Sequence, residues 1–349
     1  MGVNPFDSLP GADLDPILAR TEDLWPSLQG GRIFVTGPTG FFGSWLVESF
    51  HHAQRRLGFK GTLVLLCRDP RGWAERHPHL AASPSIQVHG GSLEAFRPPE
   101  GAFHGLIHLA VATEAPLVQY RHMVDGANRV LDFAAASGAA RLLFTSSGAV
   151  YGPPPEGSGP LPEDCPFAPA TGDPGTAYGQ AKRATEFLFS AFAREQGVQA
   201  ILARCFAFVG PGLKLDANFA IGNFIRDALR GEPIRILQDG TPLRSYLYAA
   251  DLATWLWTLY FRGPSCRPVH VGSDQPISIA DLARRVADLL HPGLGVTVGR
   301  RPEEGRAPSC YVPAIDRART ELGLEPWTGL DEAILRTAAW HTHSRRGTP

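Results

Sequence analysis

The chain has 349 residues, of which 44% are hydrophobic and 19% charged, an ordinary globular composition with enough apolar side chain for a core. Its formal net charge is −1 and no Lys/Arg run stands out, which excludes a basic field for nucleic acid. One large α/β unit plus a smaller lobe is expected, because domains usually run about 100–200 residues.

The cysteines at 67, 165, 205, 266 and 310 are scattered with no CxxC. They read as free thiols in a reducing compartment, so a cytoplasmic setting is expected. The first 30 residues carry Asp7, Asp13, Asp15, Glu22 and Asp23 and have no apolar h-region, which argues against a signal peptide. No apolar run reaches the roughly 18 residues that a membrane span requires, so no membrane partner is expected.

Residues 13–28 read as a short helix with Leu14, Ile17, Leu18 and Trp25 on its inner face. Residues 32–36 form a short apolar strand that runs into a glycine turn, Thr36-Gly37-Pro38-Thr39-Gly40-Phe41-Phe42-Gly43, and residues 44–57 follow as a helix. Further strands are expected at 63–67, 86–89, 106–110, 141–145 and 201–206; residues 129–137 lie in a helix closed by Gly138, and 177–196 form another. Short apolar strands alternating with helices predict an α/β fold with a parallel, doubly wound sheet. Residues 152–176 hold eight prolines and five glycines, so they form a long loop that borders the site. Beyond Pro211 the pattern is irregular, with helices near 219–230, 250–261 and 279–290.

The turn at 36–43 follows a strand and opens a helix, the context that a dinucleotide fingerprint needs. Its spacing is GxxGxxG. Glycine lets the backbone approach a pyrophosphate, whose charge the helix N-terminus favours. Arg68 follows the second strand and accommodates a 2′-phosphate, which inclines the choice within NAD(P) toward NADP, while Asp69 could serve NAD. Tyr178 and Lys182, four residues apart, share one helix face. A neighbouring ammonium and an oxidised nicotinamide favour the phenolate of Tyr178, bringing it into working range as a base. The Ser147 hydroxyl can hydrogen-bond a substrate oxygen as it becomes a carbonyl. His108 reads as a packed strand-end residue; His77, His79, His341 and His343 show no metal spacing, and no metal is expected. Arg244 follows a turn and could grip a diphosphate.

These motifs resemble an extended short-chain dehydrogenase/reductase of the NAD-dependent epimerase/dehydratase family. The resemblance covers about residues 32–340 and rests on TGPTGFFG at 36–43, LIHLA at 106–110, TSSGAVYG at 145–152, YGQAK at 178–182, RCFAFVGP at 204–211 and DGTPLRSYLYAADLA at 239–253. It implies an N-terminal helical extension over 1–30, a Rossmann domain over 31–210 and a mainly substrate-binding, smaller α/β domain over 211–349, with some interleaving. It implies Ser147, Tyr178 and Lys182 as the catalytic trio. Gly37, Thr39, Gly40, Phe41, Phe42, Gly43, Arg68, Leu109, Ala110, Thr145 and Phe206 would line the NAD(P), with Tyr178 and Lys182 beside them. Arg244 and Ser147 would meet the substrate, a small molecule and in most members a nucleotide-diphosphate sugar. A homodimer is implied as well.

The chain departs from the family pattern in named places. The 4,6-dehydratases carry Asp-Glu directly after the hydroxyl residue, where Gly148-Ala149 stand here, and decarboxylase relatives keep a Glu at the Ala149 position. Ala207 replaces a frequent Asn, Met123 another, and Ser92 a frequent Asp. An epimerase or related sugar oxidoreductase leads. The alternatives are an NADPH-dependent ketoreductase with Tyr178 as acid, and a dehydratase drawing a non-standard pair from Glu163, Asp164 and Asp173. A catalytically silent, cofactor-sensing protein on the same fold is the reading from another class.

Overall fold

The computed structural model describes residues 8–217, 219–305 and 307–346. Residues 1–7 of the expected N-terminal extension lie outside the described residues.

Seven parallel strands form the central sheet. Six come from the first part of the chain: β1 (Arg32–Thr36), β2 (Thr62–Cys67), β3 (Ile86–Gly90), β4 (Gly105–His108), β5 (Arg141–Ser147) and β6 (Gln199–Cys205). The seventh, Val269–Val271, pairs with β6 at the edge, so the order from that edge is Val269–Val271, β6, β5, β4, β1, β2, β3. Strand order reverses at β1, which lies between β2 and β4. A crevice therefore opens beyond the carboxyl ends of β1 and β4, where open α/β sheets bind ligands.

The strands read as continuous apolar runs because both faces of the sheet are covered. Ile33 and Val35 join one buried cluster and Phe34 the other; Leu63 and Leu65 split from Val64 and Leu66 in the same way. The first face is packed by α1 (Gly11–Thr21), α2 (Phe41–Leu57) and the helix Ala249–Arg262. The second is packed by the helices Pro116–Ser137 and Ala177–Gln196. Residues 249–271 thus return to the sheet although they follow Pro211. The small sheet of Ile277–Ser278, Leu243–Arg244 and Cys310–Tyr311 stands apart from the central one.

The single helix expected over 13–28 is two elements. α1 ends at Thr21, and a 3₁₀ turn, Glu22–Leu28, continues to the sheet. Pro26 lacks the N–H that would continue α-helical bonding there. Trp25 still faces inward, stacked on Phe59 at 5.2 Å and edge-on to Trp257 at 4.9 Å. Arg129–Ser137 lies, as expected, in a helix closed by Gly138; the helix begins at Pro116, which occupies a first-turn position where its missing N–H costs nothing. The strand at 106–110 stops at His108, and Leu109-Ala110 turn toward the glycine loop. The expected loop at 152–176 holds no strand or α-helix, only a 3₁₀ turn, Pro174–Thr176. It is pinned by a bridge from Leu161 to Pro313. Among the described residues, no helix is long and apolar enough to cross a membrane.

Candidate active site

The glycine turn is held by backbone crowding. Gly37 has φ +70, and a Cβ there would lie 2.8 Å from the Ala110 amide nitrogen. A Cβ on Gly43 would lie 2.4 Å from the Gly37 carbonyl oxygen and 2.5 Å from Pro38 Cα. Gly40 differs: it caps α2, and its Cβ direction meets only the Gly37 oxygen at 3.5 Å. The loop is folded tightly on itself while the face at Gly40 stays open, the shape that admits a pyrophosphate at a helix N-terminus.

A cavity of about 640 Å³ starts at this turn; its lining includes Thr39, Gly40, Phe41, Arg68, Asp69 and Trp73. Its placement at the ends of β1 and β2 fits the adenosine half of a dinucleotide. Arg68 is exposed at its edge. The Asp69 carboxylate accepts from the Gly72 amide at 2.9 Å, capping the helix Pro70–Arg76. The side chain of Phe42 is used elsewhere than expected: its ring packs edge-on against Phe208 at 5.0 Å, and Phe42 is not in the cavity lining. Leu109, Ala110, Thr145 and Phe206 also lie outside this cavity. A hollow of about 820 Å³, lined by residues including Arg284, Arg300 and Arg301, contains none of the predicted site residues.

The hydroxyl residues gather at the carboxyl end of β5. Ser147 ends that strand, and its Oγ accepts from the Ala149 amide at 3.1 Å. The Tyr178 phenol lies close enough to Ser147 for that hydroxyl to favour its phenolate. Lys182 is 2% exposed; its Nζ donates to the Thr145 carbonyl at 2.7 Å and sits 5.6 Å from the Tyr178 ring centre. Thr145 is therefore a support for Lys182, and its own hydroxyl donates to the His108 carbonyl at 3.2 Å. His108 is buried against Thr36 Oγ1 at 2.7 Å, and burial pushes it down to about 3, so it is a neutral packed residue.

Burial dominates the charges of the protein's own groups here. Burial, the largest influence, raises the Tyr178 phenol above its ordinary range, and the nearby Ser147 hydroxyl pulls only partly against it. Burial also pushes Lys182 down to about 8, with Cys205 and Glu186 opposing. Tyrosine and lysine share a helix face, but the ammonium is aimed at Thr145 and the Phe144 ring, 4.7 Å away. Spacing alone could not show this.

A pH-dependent stability follows from Lys182. Below about pH 8 it is protonated in folded and unfolded chains alike, so it adds no pH dependence there. Between about 8 and its ordinary 10.5 only the unfolded chain keeps the proton, so stability rises with pH. Relative to Lys182→Met, the wild type should gain about 3 kcal/mol across this window. Thermal midpoints that run parallel for the two proteins from neutral to alkaline pH would contradict the burial of this ammonium.

Two residues lie where sequence reasoning placed no site. Tyr311 approaches the end of β5: a Cβ on Gly148 would lie 2.7 Å from its hydroxyl. It arrives by strand pairing with Arg244, whose guanidinium lies 5.6 Å from the Tyr311 ring centre. Cys205 ends β6 close enough to Tyr178 and Lys182 to act on their charge, its thiol pushed up to about 12 by burial. Arg244, expected on the substrate, is half-buried and donates to the Leu243 carbonyl at 2.8 Å. Two of the three loop acids have other partners. Glu163 accepts from the His270 amide at 3.2 Å, Asp173 caps the turn at Gly175, and Asp164 is exposed.

Residues 33–272 match the family model of the NAD dependent epimerase/dehydratase family, and the chain is an enzyme of that family. UDP-glucuronic acid decarboxylase 1 of Xenopus tropicalis is 30% identical over 316 residues, covering 88% of this chain and 71% of its own. UDP-glucuronic acid decarboxylase 6 of Arabidopsis thaliana is 27% identical, covering 87% and 86%. Among solved structures, MoeE5 in complex with UDP-glucose and NAD is 26% identical with a TM-score of 0.72, covering 90% of this chain and all (100%) of its own.

Proposed function

We propose that this chain is an NAD(P)-dependent nucleotide-sugar epimerase, or a related sugar oxidoreductase, working through a transient keto sugar. The observation that carries the reading is the meeting of the Ser147, Tyr178 and Lys182 side chains beside Gly148-Ala149, which bear no carboxylate. The names of the similar proteins support a UDP-sugar as substrate class. When bound, the dinucleotide accepts and returns the hydride. Tyr178 takes the hydroxyl proton of the reacting carbon and later gives it back. Ser147 donates to the oxygen as it becomes a carbonyl. Lys182 holds a ribose, and Arg244 stands to meet the diphosphate. Epimerisation at that carbon needs the keto sugar to turn over before reduction and needs no base at the neighbouring carbon.

A second reading is a decarboxylase, which the names of the curated relatives favour. Ala149, where the family resemblance implies a Glu in decarboxylases, cannot give or take a proton. Incubation with UDP-glucose, UDP-galactose and UDP-glucuronic acid in deuterated water, read by NMR, separates the two. Direct epimerisation leaves every carbon-bound hydrogen in place. Loss of carbon dioxide with solvent deuterium at the carbon that carried it would overturn the epimerase reading.

For the cofactor we infer NADP, since Asp69 caps its helix and Arg68 is exposed in the cavity lining, where it would meet a 2′-phosphate. One charge-assisted bond to phosphate implies that Arg68→Ala loses about tenfold in affinity for NADP+ but little for NAD+. Equal losses for the two, measured by calorimetry, would remove the basis for this choice. A homodimer is supported by the exposed Phe187 and Leu117 on the two neighbouring helices of the second sheet face. The five unpaired cysteines fit a cytoplasmic setting.

A further inference from the structure

We propose that Leu9, on the segment before β1, is a cofactor-binding residue: it closes one wall of the dinucleotide cavity and slows release of the nucleotide, an inference that rests on the cofactor reading above. Leu9 is 7% exposed although Ser8 and Pro10 beside it are exposed, and it lines the same cavity of about 640 Å³ as Thr39 and Gly40 of the glycine turn. The family match begins at residue 33, so this wall is supplied from outside it. A leucine there offers a bound nucleotide no hydrogen bond. What it supplies is aliphatic cover that excludes water, the part that apolar lining plays in small-molecule sites.

The segment that carries Leu9 is anchored on three sides. α1 begins at Gly11, and its Asp13 carboxylate, 2% exposed, accepts from the Tyr248 hydroxyl at 2.8 Å and from Arg336 Nη1 at 2.5 Å. These bonds tie it to the residue that caps the helix Ala249–Arg262 and to the helix Leu330–Arg346. Asp15 pairs with His52 of α2 at 2.8 Å. The Tyr248 ring stands edge-on to Trp45 at 6.0 Å, and Trp45 Nε1 donates to the Pro211 carbonyl at 2.9 Å. Trp45 and Pro211 line the cavity as well, so Leu9 belongs to one connected wall that is joined through α2 to the glycine turn. A wall fixed before the ligand arrives needs no ordering on binding, and differences in such cover are felt mostly in the rate of escape. An enzyme that returns its own hydride has a use for slow escape.

The test is the release of NADPH or NADH from loaded protein, followed by its fluorescence as excess oxidised nucleotide displaces it, for the wild type, Leu9→Ala, Leu9→Met and Leu14→Ala. Leu14 is 6% exposed on α1 and lies outside the cavity lining, so its truncation reports what a loosened α1 does by itself. Both alanine variants should melt below the wild type. Only Leu9→Ala should release the nucleotide faster, by about tenfold, the size expected for uncovering a leucine side chain. Leu9→Met keeps the volume and should restore slow release. Equal acceleration in Leu9→Ala and Leu14→Ala would make the effect one of α1 packing and remove Leu9 from the site. Wild-type release in Leu9→Ala would remove it too, and the cofactor reading would survive if Gly40→Ala weakens binding. If Gly40→Ala binds as the wild type does, the nucleotide is not at the glycine turn and the proposal falls with that reading.

Discussion

Tyr178→Phe is expected to lower kcat about a thousandfold, the middle of the range for a positioned acid–base group. The substitution removes one oxygen and leaves the ring, so the fold has no cavity to collapse into. Phenylalanine cannot hold the proton taken from the substrate hydroxyl, and Ser147 is too weak a base to replace it. Thermal stability should be close to that of the wild type, and retention of the dinucleotide should change far less than turnover. Steady-state kinetics beside a melting curve separates these effects. Unchanged turnover in the variant contradicts the assignment of Tyr178.

The second large effect is expected at Gly43. A methyl group there meets the Gly37 oxygen at 2.4 Å and Pro38 Cα at 2.5 Å, both backbone atoms of the turn itself. Relief requires the turn to open, which costs about 1–3 kcal/mol or more as overpacking and moves the amides that would face a pyrophosphate. Gly43→Ala should therefore lose both stability and bound dinucleotide. Gly40→Ala is the comparison: its methyl meets only the Gly37 oxygen, at an ordinary 3.5 Å. It should melt like the wild type and lose affinity for the cofactor alone. Equal behaviour of the two variants would mean that the turn is not the cofactor's cradle.

The central sheet was legible because its strands are buried on both faces, and an unbroken apolar run such as Leu63-Val64-Leu65-Leu66 has few other uses. The glycine turn was legible because it lies at a strand-to-helix junction. The helix Ala177–Gln196 matched its expected bounds because a left-handed glycine, Gly197, ends it. The start of the preceding helix was left unread although Pro116 signals it, and the cap at Asp69 was missed although Asp-Pro before a helix is a cap signature. Tyr311 carried no local signal. It belongs to a two-residue strand, and only pairing with Arg244 and the bare backbone at Gly148 bring its hydroxyl to the end of β5. The direction of the Lys182 ammonium was illegible for the same reason: its partner, the Thr145 carbonyl, is supplied by a neighbouring strand.

The central claim is a closed hydride cycle at Ser147, Tyr178 and Lys182, with the dinucleotide regenerated in every turnover. The most direct measurement is to denature the purified protein and identify and quantify the nicotinamide nucleotide it releases. A near-stoichiometric amount of NAD(P) is the predicted result, because an enzyme that returns its own hydride has no need to exchange the carrier. A protein that releases none, and oxidises added NADPH in step with reduction of a keto sugar, would contradict the cycle and make the chain a ketoreductase.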